Sequence, residues 1–165
     1  MARISLLLVL LLQCSVAGPT ALARSAESFS AVATWVRCHD GDTCTFRVFG
    51  KRFKARISGI DAPELKQPFG TTARNAMSDL LSRARQIKLE CRGKSYDRKV
   101  CSVEADGQDV ARALVEKGLA HDAPQYSKGK YKDAEGLGRR KKLGIWASGT
   151  PVNPKCFRHP ASRGC

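Results

Sequence analysis

The chain has 165 residues, 29 Lys and Arg against 15 Asp and Glu, and a formal charge of +14. That length supports one hydrophobic core, and 42% apolar with 27% charged residues excludes a disordered acidic tail, a collagen and a multi-span membrane protein. The positive excess calls for a partner rich in negative charge, of which nucleic acid is the commonest.

The first element is a targeting segment. Arg3 precedes the apolar run Ile4–Leu12, too short to span a membrane, and small residues follow it. This is the layout of a signal peptide over residues 1–23, with cleavage after Ala21-Leu22-Ala23 and Ser15-Val16-Ala17 as the weaker alternative. Bulky Gln13 argues against a lipid anchor on Cys14. Removal of the segment takes away only Arg3 among the charged residues, leaving +13, and only Cys14 among the cysteines.

Residues 24–31 read as a loose polar leader. Three antiparallel strands follow at about 32–38, 43–49 and 52–58, because apolar residues alternate with period two. Cys44, Phe46 and Val48 share one face, as do Phe53, Ala55 and Ile57, with turns at Asp40-Gly41 and Gly50-Lys51. After Pro63 and Pro68, the steps of three and four through Ala73, Ala76, Met77, Leu80, Leu81 and Ala84 predict a helix capped by Thr71 or Thr72. A second hairpin pairs Ile87, Leu89 and Cys91 with Cys101, Val103 and Ala105 around a polar loop over 92–98, ending at Asp106-Gly107. A short helix carries Val110, Leu114 and Val115 inward and stops at Gly118. A weaker one spans about 130–143, interrupted by Gly136 and Gly138. Residues 149–165 form a Cys- and Pro-containing tail, and residues 24–148 the domain. The fold class is α+β, mainly β: a five-stranded antiparallel barrel of the OB type with about three helices.

Six cysteines remain after cleavage, and six allow 15 full pairings. Export favours disulfides, and spacing favours Cys38–Cys44, Cys91–Cys101 and Cys156–Cys165. A zinc site is the rival, but no Cys-x-x-Cys pair exists and the three His are scattered.

Acidic residues are scarce, so their grouping is informative. Asp40 and Asp42 sit on a turn at a strand edge, and Asp61 and Glu64 follow the end of the third strand. Should those strand ends meet, hard carboxylate oxygens converge there, suited to Ca²⁺ or Mg²⁺. Arg56 and Arg98 add guanidinium forks that match the charge of a phosphodiester transition state. A spare carboxylate can deprotonate water.

Asp40-Gly41-Asp42-Thr43, Arg56, Gly59-Ile60-Asp61-Ala62-Pro63-Glu64, Tyr96-Asp97-Arg98 and Gly144-Ile145-Trp146-Ala147-Ser148 occur in that order, and this ordered set resembles the staphylococcal nuclease (thermonuclease) family over about residues 33–148. The resemblance implies a Ca²⁺ site of Asp42, Asp61 and the Ala62 carbonyl, a general base in Glu64, and phosphate-binding arginines in Arg56 and Arg98. It further implies nucleotide contacts from Tyr96 and Tyr126 and a supporting role for Asp40 beside the metal. The expected protein is a secreted or periplasmic, monomeric, Ca²⁺-dependent endonuclease. It would cut DNA and RNA with little sequence preference, break the 5′ P–O bond and leave 3′-phosphate ends. The alternative is a non-catalytic nucleic-acid-binding module on the same fold. Asp97 stands where the family commonly has Gly, Pro124 where an aromatic is expected, and Ser95 where a basic residue is usual. Basic residues interleaved with Tyr126 and Tyr131 suit stacking on bases and attraction to phosphates.

Overall fold

A computed structural model describes residues 28–162 and 165. The expected signal peptide lies outside the described residues. Strand β1 (Phe29–Cys38) pairs with β2 (Thr43–Val48), and β2 with β3 (Lys51–Ile57), in an antiparallel meander. Cys44, Phe46, Ala55 and Ile57 point inward and are fully buried, while Arg47 and Arg52 point outward. A two-residue strand, β4 (Ile60–Asp61), follows, then helix α1 (Gly70–Arg83), which buries Ala73, Met77 and Leu81. Strands β5 (Ile87–Ser95) and β6 (Arg98–Ala105) form the second hairpin, and β7 (Gln108–Asp109) pairs with β6. The Asp109 carboxylate caps α2 (Val110–Glu116) by accepting from the amides of Ala111 and Arg112 at 3.0 and 3.2 Å.

The short β8 (His121–Asp122) pairs with β4 and sets His121 opposite Asp61. Helices α3 (Pro124–Ser127), α4 (Lys132–Arg140) and α5 (Pro154–Arg158) complete the chain, with a 3₁₀ turn at Gly144–Trp146. The barrel strands run in the order β3-β2-β1-β5-β6, and β3 closes onto β6. This last pairing is parallel, so the five-stranded OB-type barrel is mixed rather than wholly antiparallel. Its interior meets α1 and α2 in one core around Phe46, Met77, Leu89, Val103 and Leu114. Among the described residues no helix is long and apolar enough to cross a membrane. All three disulfides have the expected pairing, Cys38–Cys44, Cys91–Cys101 and Cys156–Cys165.

Four local expectations change. Residues 29–31 belong to β1 and not to a leader, because Phe29, Ser30 and Ala31 pair with Cys91, Glu90 and Leu89, partners 58 and more residues away. The loop over 92–98 contracts to Tyr96-Asp97, since the strands continue to the Ser95–Arg98 pair beyond a register shift after Cys91. No side chain caps α1, because it begins at Gly70, before Thr71 and Thr72. The helix expected over 130–143 ends at Arg140, and the tail holds a helix of its own.

Candidate active site

The turn between β1 and β2 is built by its own acids. Asp40 Oδ1 accepts from the Asp42 amide at 2.9 Å, an Asx turn, and the His39 amide donates to the Thr43 carbonyl at 2.8 Å. Gly41 allows this turn to press on its neighbours: a Cβ there would stand 2.6 Å from Ala62 Cβ and 2.8 Å from Ala73 Cβ. The same turn joins β3, whose Ile57 amide donates to the Asp42 carbonyl at 2.7 Å.

Asp42 is buried, and both of its carboxylate oxygens are engaged. Oδ2 accepts from the Ala62 amide at 2.8 Å and meets Arg56 Nη1; Oδ1 accepts from the Thr43 hydroxyl at 3.2 Å. Arg56 projects from β3 on the opposite side from buried Ala55 and Ile57. Its Nη2 donates to Asp61 Oδ1 and to the Ile60 carbonyl, each at 3.0 Å. Two carboxylates from separate strand ends thus converge on one guanidinium. Burial lowers the Arg56 pKa, and Asp61 and Asp40 oppose that shift. Burial likewise raises the Asp40 pKa, with Arg56 opposing.

The parallel closure places Arg56 beside Val100, two residues beyond Arg98. Arg98 starts β6, and its Nη1 donates to Thr43 Oγ1 at 3.2 Å, its Nη2 to Ser95 Oγ at 3.3 Å. Thr43 therefore links Asp42 to Arg98. Ser95, which stands where a basic residue is usual, holds the Arg98 fork in place.

Glu64 lies on the turn between β4 and α1. Gln67 fixes that turn, its Oε1 accepting from the Glu64 amide and its own amide donating to the Glu64 carbonyl, both at 2.8 Å. Gly70 lets α1 start against it, since a Cβ at 70 would fall 1.9 Å from the Glu64 carbonyl oxygen. The Glu64 carboxylate meets a residue that the sequence did not single out. Arg158 Nη1 donates to Glu64 Oε1 at 2.6 Å, and Arg158 Nη2 donates to Asp61 Oδ2 at 3.0 Å. Burial alone would lower the Arg158 pKa, but its hydrogen bonds to Asp61 and Glu64 outweigh burial and raise it. The tail, whose role the sequence left open, supplies a third arginine beside Asp61 and Glu64. The readable signal was Asn153-Pro154, an N-cap followed by proline at the first helical position, in a segment closed by Cys156 and Cys165.

The structure therefore brings Asp40, Asp42, Arg56, Asp61, Glu64 and Arg98 together. Tyr96 and Tyr126 are 93% and 73% exposed, one on the β5–β6 turn and the other on α3, free to offer ring faces to solvent. Asp97 ion-pairs with Lys54 at 3.4 Å on the surface. Tyr131 differs from the other two tyrosines: it is buried, its hydroxyl donates to Asp109 Oδ2 at 3.0 Å, and burial together with Asp109 pushes its pKa up to about 12. His121 is buried against Trp146, rings at 5.0 Å, with Glu135 at 3.6 Å.

The donor chemistry fits a hard cation. Asp42 and Asp61 already present anionic oxygens to one shared positive group, and a main-chain carbonyl beside them is an oxygen donor of the kind Ca²⁺ takes. Among the described residues no three His, Cys, Asp or Glu side chains form a ready-made cage. The fit is that of an ion completed by main-chain oxygen and water.

Comparison with known proteins gives a consistent picture. The sequence profile described as "Staphylococcal nuclease homologue" matches residues 54–148. An uncharacterized endonuclease of Haemophilus influenzae is 34% identical over 126 residues, 74% of this chain and 70% of its own length. An uncharacterized endonuclease of Escherichia coli O157:H7 is 31% identical over 126 residues, 75% of this chain and 82% of its own. The staphylococcal-like nuclease CAN1 of Arabidopsis thaliana is 32% identical over 108 residues, 65% of this chain but only 33% of that longer protein.

Proposed function

The chain belongs to the staphylococcal nuclease family, and from that premise we propose that it is an exported, Ca²⁺-dependent endonuclease acting on DNA and RNA with little sequence preference. The observation that carries this reading is the convergence of Asp42 and Asp61 on Arg56, with Glu64 beside Asp61 and Arg98 tied through Thr43 to Asp42.

Asp42, Asp61 and the Ala62 carbonyl would hold Ca²⁺, which as a Lewis acid draws charge from the phosphoryl oxygens. Arg56 and Arg98 bind the scissile phosphate and stabilise the charge that grows on its oxygens in the transition state. Glu64, a third exposed, takes a proton from the water that attacks phosphorus. The P–O5′ bond breaks, leaving a 3′-phosphate on one product, and the departing O5′ takes up a proton from solvent water to become the 5′-hydroxyl of the other. Asp40 shapes the turn that presents Asp42. Tyr96 and Tyr126 stack on bases beside the cut, which is tolerant of sequence because every base has a π-face. Export rests on the layout of residues 1–23, and the three disulfides suit an oxidising compartment. The protein acts as a monomer.

The test is cleavage of single- and double-stranded DNA and of RNA by the purified protein with Ca²⁺ and with excess EGTA. Cleavage is expected only with Ca²⁺, and a preparation equally active in EGTA would refute the metal assignment.

A further inference from the structure

The segment after Ser148 is fastened to the domain beside the acids. The Val152 carbonyl accepts from Gln67 Nε2 at 3.0 Å, so the side chain that fixes the Glu64 turn also holds the tail. Pro154 is buried, Asn153 caps α5 by accepting from the Lys155 amide at 2.9 Å, and the Cys156–Cys165 bond closes the end of the chain. These anchors place the Arg158 fork across both Asp61 oxygens and one Glu64 oxygen, partners 97 and 94 residues away in sequence.

We propose that Arg158 is an internal counter-cation of the site: it occupies Asp61 and Glu64 in the free protein and competes with the divalent cation for the Asp61 oxygens, so that the tail sets the cation affinity. This rests on the metal role proposed above for Asp61. Asp61 carries two guanidiniums, Arg56 on Oδ1 and Arg158 on both oxygens, whereas among the described residues Asp42 carries that of Arg56 alone. A cation that takes Asp61 Oδ1 competes with three N–H contacts already on it, two of them from Arg158, and one that takes Oδ2 competes with Arg158 Nη2. The bond from Arg158 to Glu64 can persist, which keeps the tail docked while the ion enters. Charge points the same way. Asp40, Asp42, Asp61 and Glu64 against Arg56, Arg98 and Arg158 leave one formal negative charge at the site, and without Arg158 they leave two. A guanidinium is weakly hydrated, so it can leave a carboxylate for solvent or for a phosphate oxygen without a large reorganisation of water.

The experiment is a calorimetric titration of the full chain with CaCl₂, alongside Arg158→Ala, Arg158→Gln and Asp61→Asn. Arg158→Ala is expected to bind Ca²⁺ roughly two- to five-fold more tightly, the range that the one ion pair given up at Asp61 is worth. The Ca²⁺ concentration for half-maximal cleavage is expected to fall by the same factor. Arg158→Gln, which keeps length and hydrogen-bonding groups but not charge, is expected to behave alike and replaces the alanine variant should that fail to fold. Parental or weaker Ca²⁺ affinity in the folded Arg158 variants overturns the proposal. If Asp61→Asn meanwhile abolishes binding, the metal role of Asp61 stands and only the counter-cation falls. A parent that binds no Ca²⁺, or whose binding survives Asp61→Asn, overturns both.

Discussion

Asp42 and Glu64 belong to one site and are held in two different ways. The Asp42 side chain is 8% exposed, and the barrel and its rim supply its partners: the Ala62 amide, the Thr43 hydroxyl and Arg56. Glu64 is 32% exposed, and its carboxylate meets an arginine from the far end of the chain. A carboxylate whose oxygens are engaged by a closed barrel is fixed in place, as a resident ligand would need to be. One that faces solvent and pairs with a docked tail can exchange its partner and accept a proton. The difference teaches that the barrel sets where an ion would sit, and the segments outside it set what happens beside the ion.

The comparison is most exposed to Glu64→Gln. Turnover is expected to fall roughly 10²- to 10⁴-fold while DNA binding persists, read by single-turnover cleavage and gel shift. Parental cutting rates would move the base to another group and dissolve the distinction. Asp42→Ala attacks the opposite end, since it takes away one of the two carboxylates that balance buried Arg56 and leaves the Ala62 amide unpaired near the core. A loss of about 3 kcal/mol in urea unfolding is expected, against less than about 0.5 kcal/mol for Glu64→Gln. Equal losses in the two variants would show that burial does not separate them.

Tyr131 sharpens the contrast between buried and solvent-facing tyrosines. Its pKa near 12 in the fold exceeds the ordinary value of 10.0. The unfolded chain therefore loses this proton first, and the stability tied to the neutral hydroxyl is complete below pH 10 and is lost as pH rises through 12. Roughly 2 kcal/mol of stability is expected to disappear across that window in the parent and to persist in Tyr131→Phe. Identical pH profiles of unfolding for the two proteins would remove Tyr131 from the account. For the exposed pair, Tyr96→Ala and Tyr126→Ala are expected to weaken single-stranded DNA binding by about 1 kcal/mol each. Their melting temperatures are expected to stay unchanged; a drop in either would make that tyrosine a packing residue.

What the sequence disclosed follows the reach of each interaction. Period-two alternation and paired cysteines located the strands of both hairpins, because their partners lie within a few residues of one another in the chain. The acids stood out because they are few in a basic protein. Three features escaped because no local pattern encodes them. Residues 29–31 become strand only when β5 arrives, and the parallel closure of β3 on β6 depends on the whole barrel. Arg158 reaches Asp61 and Glu64 through a five-residue helix, too short for periodicity to show.

Gly70 bears on how this protein can be re-engineered. Helix-propensity scales reward replacing glycine by alanine with about 1 kcal/mol in a helix interior, and α1 is an obvious target for such thermostabilisation. At this position the new methyl group would sit 1.9 Å from the Glu64 carbonyl oxygen, against backbone that cannot rotate away. A redesign that scores α1 residue by residue would displace the very turn that aims Glu64 instead of hardening the scaffold.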